Sequence, residues 1–195
     1  MLFLILSTLG SPEDDRVLIQ KLVSRDPEAM GELYERFGGI ALAIIVRIVR
    51  DHAIAEDLLQ ETFLKVWNRV ASFDGERGAL GPWVLTIARN RAIDYLRSSD
   101  ARRNQAGCDL ERLERPYLFV DLEEQYVDRD RLRHIRDAFG KLTENQRRVL
   151  EMAYFEGLSQ TEMAEQLNQP LGTVKTWVRT ALQLLRQELG EAIQA

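Results

Sequence analysis

Apolar side chains recur every three or four residues along almost the whole sequence, which is the spacing of one face of an α-helix. The clearest stripes are Ala29, Met30, Leu33, Tyr34 and Phe37, and then Leu59, Phe63, Val66, Trp67 and Val70. No run alternates apolar and polar residues over the length of a strand between turn signals. The 195 residues have room for one large domain or two small ones. We therefore predict an all-α fold.

Composition excludes several classes of protein. The single cysteine, Cys108, excludes a disulfide scaffold and a four-thiolate zinc site, and it fits a reducing cytoplasm. Because His52 and His134 are the only histidines and both are expected on the surface, we predict no metal site and no cofactor. The net charge of −5 excludes a general nucleic-acid coat. Any DNA binding must then use local basic surfaces, helped by a partner.

Charge and composition divide the chain into parts. Residues 1–13 begin with the run MLFLIL, which lacks the basic region of a signal peptide and is too short to span a bilayer. We expect a disordered or mis-called N-terminal extension there. Residues 99–130 hold 9 acidic and 5 basic side chains and lack a sustained apolar stripe. They predict an acidic linker between two small helical domains, at 14–98 and 131–190, although part of it could be a solvated helical face.

The C-terminal domain predicts a helix-turn-helix. Two capping boxes, Thr143 with Gln146 and Ser159 with Glu162, each indicate the start of a helix. A tight turn over 168–172 follows, and a last, long helix comes after it. One face of that helix is polar and basic, and it holds Lys175, Thr176, Arg179, Thr180, Gln183 and Arg186.

The second helix of such a pair fits the major groove of duplex DNA, and its first turns reach the base edges. We expect Thr173 to cap this helix and, with the helix N-terminus, to bind a phosphate. Lys175 and Arg179 can donate to guanine acceptors or to phosphates. The candidate duplex contacts are Thr173, Lys175, Thr176, Arg179, Thr180 and Gln183. The alternative is a helical hairpin that only packs, with a solvated basic face.

The N-terminal domain contains an acidic helix face. Asp51 predicts the cap of a helix from about His52 to Arg69. Opposite its apolar stripe lie Asp57, Gln60, Glu61 and Leu64, spaced 3, 1 and 3 residues apart. An acidic face with an apolar residue in it suits docking of a basic helix from a partner. Ordinary solvated surface is the alternative.

A second helix of this domain interleaves aromatic and basic residues. We expect Pro82 to be its first residue, after the glycine-rich loop at 72–81. Bases stack on aromatic rings and guanidinium groups hold phosphates, so the pattern suits single-stranded nucleic acid. The candidate contacts are Arg89, Asn90, Arg91 and Arg97. Trp83 is interpreted as a core residue, and for the arginines a solvated face remains the alternative.

Three stretches taken together resemble one known family. They are AEDLLQETFLKVW (Ala55–Trp67), SFDGERGALGPWVLTIARNRAIDYLR (Ser72–Arg97) and LTENQRRVLEMAYFEGLSQTEMAEQLNQPLGTVKTWVRTALQLLR (Leu142–Arg186). Their order and spacing, with the linker between them, resemble the bacterial sigma-70 family, in particular its small extracytoplasmic-function group. That group keeps only regions two and four.

The resemblance implies a dissociable initiation subunit of RNA polymerase, with region two at 14–98 and region four at 131–190. Its polymerase-docking segment matches Asp57, Gln60, Glu61 and Leu64. Its minus-ten segment, which melts the promoter and captures one strand, matches Phe73, Arg77, Arg89, Asn90, Arg91 and Arg97. Its minus-thirty-five segment matches Thr173, Lys175, Thr176, Arg179, Thr180 and Gln183. The expected partners are core RNA polymerase, promoter DNA and an anti-sigma factor, with no small-molecule substrate.

The resemblance also implies a cytoplasmic protein that an anti-sigma factor can hold at the inner membrane.

Two departures from the family pattern leave promoter preference open. Gly78 and Gly81 lie in the loop where bulkier residues are common, and Trp177 and Thr180 stand where many relatives have arginine.

Two other functions compete with this interpretation. A helix-turn-helix regulator that acts without stable polymerase binding would need a sensor or dimerisation domain in the N-terminal half. An enzyme would need catalytic motifs, and the sequence has no glycine-rich phosphate loop, no HExxH and no nucleophile elbow. We predict that the chain is not an enzyme.

Overall fold

The computed structural model describes residues 12–75, 78–98 and 129–194, and over these residues the chain is helical and contains no strand. The prediction of an all-α fold is confirmed. The described residues fall into two compact units, one up to residue 98 and one from residue 129. The predicted N-terminal extension and linker lie outside the described residues except at their edges, and so do Cys108 and Arg77.

The described residues of the N-terminal unit form four α-helices. They are α1 (Pro12–Val23), α2 (Pro27–Val49), α3 (His52–Arg69) and α4 (Leu80–Arg97), and one turn of 3-10 helix at Val70–Ser72 follows α3. α2 is central and packs against the other three helices. Its fully buried side chains include Leu33, Phe37 and Ile45. Burying a side chain of this size stabilises a fold by about 1.5–3 kcal/mol.

Aspartates cap α2 and α3. The Asp26 carboxylate accepts a hydrogen bond from the Glu28 amide, and the Asp51 carboxylate accepts one from the Ile54 amide, both at 3.0 Å. The predicted helix from His52 to Arg69 with its Asp51 cap is therefore confirmed.

α4 begins at Leu80, so the prediction that Pro82 is its first residue is wrong. The preceding residue, Ala79, makes no capping hydrogen bond through its side chain. Instead, the buried Asp15 carboxylate of α1 accepts a hydrogen bond from the Leu80 amide at 3.1 Å. The first amides of a helix need acceptors from outside it, and this carboxylate supplies one two residues earlier than expected.

The described residues of the C-terminal unit form α5 (Arg129–Gly140), α6 (Glu144–Glu151), one π-helical turn (Met152–Glu156), α7 (Gln160–Gln166) and α8 (Leu171–Gln194). Both predicted capping boxes are confirmed, because side chain and backbone bond reciprocally at Thr143 and at Ser159. Gly157 follows the π-helical turn with a φ of 66°, a left-handed conformation that glycine adopts at little cost.

One detail of this unit differs from expectation. α8 begins at Leu171, so Thr173 is not its cap; the Pro170 carbonyl accepts the Thr173 amide at 2.9 Å instead. In the π-helical turn, Met152 is fully buried and Ala153 and Tyr154 are half-buried.

Candidate nucleic-acid and docking interfaces

The acidic face predicted on α3 lies on the surface. Asp57, Gln60, Glu61 and Leu64 are all exposed, and the opposite face of the helix is buried against the core. Leu64 is 60% exposed, the largest value among the exposed large hydrophobic residues of the described chain. An exposed leucine on the same helix face as two carboxylates has apolar area to bury beside charges that a basic partner can pair, which is the chemistry of a docking surface.

Tyr34 is an exposed aromatic residue that the sequence pattern had placed in a core stripe. Its ring packs on Phe63 of α3 with centroids 5.1 Å apart, and the residue is 51% exposed. A Cβ at Gly38 would lie 3.2 Å from the Tyr34 ring, so this glycine leaves the ring room to lie along α2. In the sequence, Gly38 was the available signal that the Tyr34 ring lies along the helix, because residues four positions apart lie on the same helix face.

Arg91, predicted to bind nucleic acid, forms an ion pair with Glu61 of the acidic face. The contact joins α4 to α3 across 30 residues of sequence. The two side chains are 31% and 51% exposed, so water screens the pair, and exposed pairs of this kind stabilise a fold by about 0–1 kcal/mol. Two residues assigned to different surfaces are therefore direct neighbours.

The other predicted contacts of α4 lie elsewhere on the helix. The spacing of seven residues places Asn90 and Arg97 on one face, and both are exposed. Arg89 is half-buried and donates a hydrogen bond to the Asn90 side-chain oxygen at 3.1 Å. α4 therefore offers a basic and amide-bearing face that is separate from the side of Arg91.

Phe73 and Trp83 form an aromatic pair where the loop joins α4. Their ring centroids lie 5.0 Å apart at an interplanar angle of 48°. Both residues are half-buried, so the interpretation of Trp83 as a core residue holds only for part of its surface. Partly accessible aromatic rings are surfaces on which unpaired bases stack.

The predicted duplex contacts on α8 differ in exposure. Lys175, Thr176, Arg179 and Gln183 are exposed, and Thr173 and Thr180 are half-buried. Thr180 is held within the unit, because its hydroxyl accepts a hydrogen bond from the Gln146 side-chain amide at 3.0 Å. That hydroxyl also lies 2.9 Å from the Thr176 carbonyl, to which it donates. α8 therefore presents three exposed cations, Lys175, Arg179 and Arg186, with Thr180 anchoring the helix.

Gln146 is a residue that sequence reasoning identified only as part of a capping box. Its side-chain oxygen accepts the Thr143 amide at 2.9 Å and its nitrogen donates to Thr180. One amide therefore caps α6 and also fixes α8. The apolar cluster beneath, which includes Val149, Met163 and Val174, holds α7 and α8 in the helix-turn-helix arrangement.

The described parts of the chain contain no candidate membrane span and no candidate metal-binding cluster. No helix there has the length and hydropathy to cross a bilayer. No group of three or more His, Cys, Asp or Glu residues there is placed to hold a metal ion. His52 and His134 are both exposed, as expected from the sequence.

Comparison with known families gives two matches in the same chain. The family model described as Sigma-70 region 2 matches residues 33–102, and the one described as Sigma-70, region 4 matches residues 132–185. The first match contains the acidic face of α3 and all of α4. The second contains the helix-turn-helix.

Curated relatives match along nearly the whole length. The ECF RNA polymerase sigma factor SigK of Mycobacterium sp. (strain JLS) is 30% identical over 175 residues, which cover 89% of this chain and 90% of the relative. SigK of Mycobacterium tuberculosis (strain H37Ra) is also 30% identical, over 87% of this chain and 90% of its own. Among solved structures, Rhodobacter sphaeroides SigE in complex with the anti-sigma ChrR is 26% identical, over 89% of this chain and 99% of that one, with a TM-score of 0.46.

Proposed function

The chain belongs to the extracytoplasmic-function group of the sigma-70 family of RNA polymerase sigma factors, and we propose that its two described units divide promoter recognition between them. A sigma factor is not an enzyme: it binds core RNA polymerase and directs it to promoters through the minus-ten and minus-thirty-five elements. One observation carries the functional conclusion. Both sigma regions match within one chain and in order, and relatives of this function align over 89% of its length.

The proposed polymerase-docking surface consists of Asp57, Gln60, Glu61 and Leu64 on α3. Its support is their shared exposure and the acidic charge around an apolar residue. A basic partner helix would bury Leu64 and pair with the carboxylates, and small apolar centres with a charged rim commonly carry most of the energy of an interface. Tyr34 on the neighbouring α2 adds exposed aromatic surface.

The proposed minus-ten surface consists of Phe73, Arg77, Arg89, Asn90, Arg91 and Arg97, of which Arg77 lies outside the described residues. Phe73, with Trp83 beside it, can stack an unpaired base, and the arginines can hold the strand's phosphates. Unpairing costs about a few kcal/mol per extruded base, which contacts to the opened strand must offset. No covalent step is required of this chain.

The proposed minus-thirty-five surface lies on α8. Lys175, Thr176, Arg179 and Gln183 are exposed early in the helix, where base edges of the major groove come within reach. Thr173 and Thr180 complete the predicted set, but the Thr180 hydroxyl is already engaged by Gln146. We therefore assign Thr180 first to orientation of the helix, with its methyl group left for DNA.

The remaining parts of the proposal concern organisation and control. Region two is proposed at 14–98 and region four at 131–190, joined by the acidic linker at 99–130.

An anti-sigma factor that covered the acidic face of α3 would compete with core polymerase, so we propose control of this kind. Because its partner is core RNA polymerase, the protein is proposed to act in the cytoplasm.

The decisive experiment is co-elution of the purified chain with bacterial core RNA polymerase on a sizing column, followed by transcription from randomised templates. A stable complex that initiates at a defined sequence supports the proposal. A well-folded chain that binds duplex DNA but forms no complex with core polymerase would instead favour a helix-turn-helix regulator.

A further inference from the structure

Asp15 is a buried carboxylate in α1, far in sequence from any predicted site. The residue is 7% exposed, and it is one of two buried polar residues in the described chain. One carboxylate oxygen accepts a hydrogen bond from Arg36 of α2 at 2.7 Å. The other accepts the Leu80 backbone amide at 3.1 Å, from 65 residues further along the chain. A single side chain therefore ties together α1, α2 and the start of α4.

The contact with Leu80 replaces a local helix cap. Most helices begin after a residue whose side chain accepts one of the first amides, but Ala79 cannot do this. The Asp15 carboxylate supplies the acceptor, and its negative charge lies at the positive end of the α4 dipole. Arg36 holds the carboxylate in place, since an arginine bond to a carboxylate is stronger than a neutral hydrogen bond.

This anchor lies at the end of the loop that leads into the proposed minus-ten surface. The loop follows the 3-10 turn at Val70–Ser72, and α1 packs against that turn as well. Both ends of the loop are therefore fixed to α1. The helix that fixes them, Pro12–Val23, lies before residue 33, where the region-two family match begins.

We propose that Asp15 is a positioning residue for minus-ten recognition, which holds the start of α4 in the orientation that captures the opened strand. This inference rests on the proposed function of α4. Asp15 is buried, so it would act through Leu80, the first residue of the helix that carries Trp83 and the α4 arginines. Phe73 packs on Trp83.

The test compares Asp15→Ala and Asp15→Asn with Asp14→Asn, which removes an exposed carboxylate from the adjacent position of the same helix. Each variant is assembled with core polymerase on a promoter selected from randomised templates by the wild-type holoenzyme. Promoter opening, core-polymerase affinity and duplex binding to the minus-thirty-five element are measured separately. Thermal unfolding establishes that each variant is folded.

We expect Asp15→Ala to slow promoter opening roughly tenfold, the effect of losing one strong cap, with core-polymerase affinity and duplex binding unchanged. Asp15→Asn keeps an oxygen for the Leu80 amide but loses the charge that Arg36 holds, so we expect a defect of about threefold. A template opened in advance over the minus-ten element should restore much of the rate. Equal loss in opening, duplex binding and polymerase affinity would overturn the proposal, because it would show a general loss of fold.

A second variant separates positioning from simple capping. Ala79→Asp in the Asp15→Ala background gives α4 a local cap but does not restore the tie to α1. We expect it to recover thermal stability and leave promoter opening slow; full recovery of opening would overturn the positioning role. A wild-type chain that does not bind core polymerase would overturn the proposed function and this inference together. Asp15 variants that open promoters like Asp14→Asn would overturn the inference alone.

Discussion

The helix that carries the proposed minus-ten surface is held at its start differently from the shorter helices of the C-terminal unit. In the C-terminal unit, α6 and α7 are capped by Thr143 and Ser159, each bonding a residue three positions away. In the N-terminal unit, α4 is capped by Asp15, which lies 65 residues earlier. A local cap forms wherever its short motif occurs, whereas a distant cap forms only when the whole unit is folded. Minus-ten recognition should therefore depend on the tertiary structure more than minus-thirty-five recognition does.

The largest effect should come from charge reversal on the docking face of the N-terminal unit. Asp57→Arg puts a positive charge where a basic partner helix is expected, so core-polymerase affinity should fall about a hundredfold. Duplex binding by the C-terminal unit should not change. Measured affinities for core polymerase and for duplex DNA check this prediction. The matched control is Glu35→Arg, which reverses an exposed charge on α2. An unchanged polymerase affinity would remove the proposed role of this face.

The next largest effect should be confined to the C-terminal unit. Arg179→Ala removes an exposed guanidinium from the proposed DNA-binding side of α8, and it should weaken use of the minus-thirty-five element about tenfold. Transcription from promoters with and without that element measures the loss. Arg186→Ala, two turns further along the same face, should have a smaller effect. Equal loss of polymerase binding with Arg179→Ala would contradict the division between the two units.

Loss of a local cap should be milder and should stay within its own unit. Ser159→Ala removes the hydroxyl that accepts the Glu162 amide, and it should lower the stability of the C-terminal unit by about 1 kcal/mol. Denaturant unfolding measures the change, with Thr161→Ala on the same helix as the control. Promoter opening at the minus-ten element should remain at the wild-type rate. If Ser159→Ala slowed promoter opening as much as Asp15→Ala, local and distant caps would not differ in their effect on minus-ten recognition.

The smallest effect concerns the ion pair between α3 and α4. A double-mutant cycle with Glu61→Gln and Arg91→Gln should give a coupling energy no larger than about 1 kcal/mol, because both side chains are partly exposed. The coupling should decrease in high salt. A value of several kcal/mol would show that the two surfaces of the N-terminal unit depend on each other far more than their exposure indicates.

Sequence reasoning succeeded where the interactions are local. The helix at His52–Arg69, its Asp51 cap and both capping boxes follow from contacts within a few residues, and each is confirmed. The exposed placement of the acidic face on α3 follows from helical periodicity, because the buried side fixes the opposite one. The assignment of these residues to polymerase and DNA remains a prediction.

Two of the errors lie at helix starts that have no side-chain signal of their own. Pro82 and Thr173 are residues favoured near helix N-termini, but α4 and α8 begin earlier, at Leu80 and Leu171. The Leu80 amide at the start of α4 donates to a carboxylate from α1, and at the start of α8 the Thr173 amide donates to the Pro170 backbone carbonyl. Neither acceptor belongs to a local side-chain motif, so residue preference alone gave the wrong position.

The sequence by itself determined the all-helical fold, the helix-turn-helix and the distribution of acidic and basic faces, because periodicity, capping motifs and charge act over a few residues. Only the tertiary structure decided that Asp15 caps α4, that Glu61 pairs with Arg91 and that Gln146 holds Thr180. Each of these contacts joins groups that are 30 or more residues apart in the sequence. Such pairs meet only after the helices have packed, and no spacing in the chain records which of many possible partners will meet.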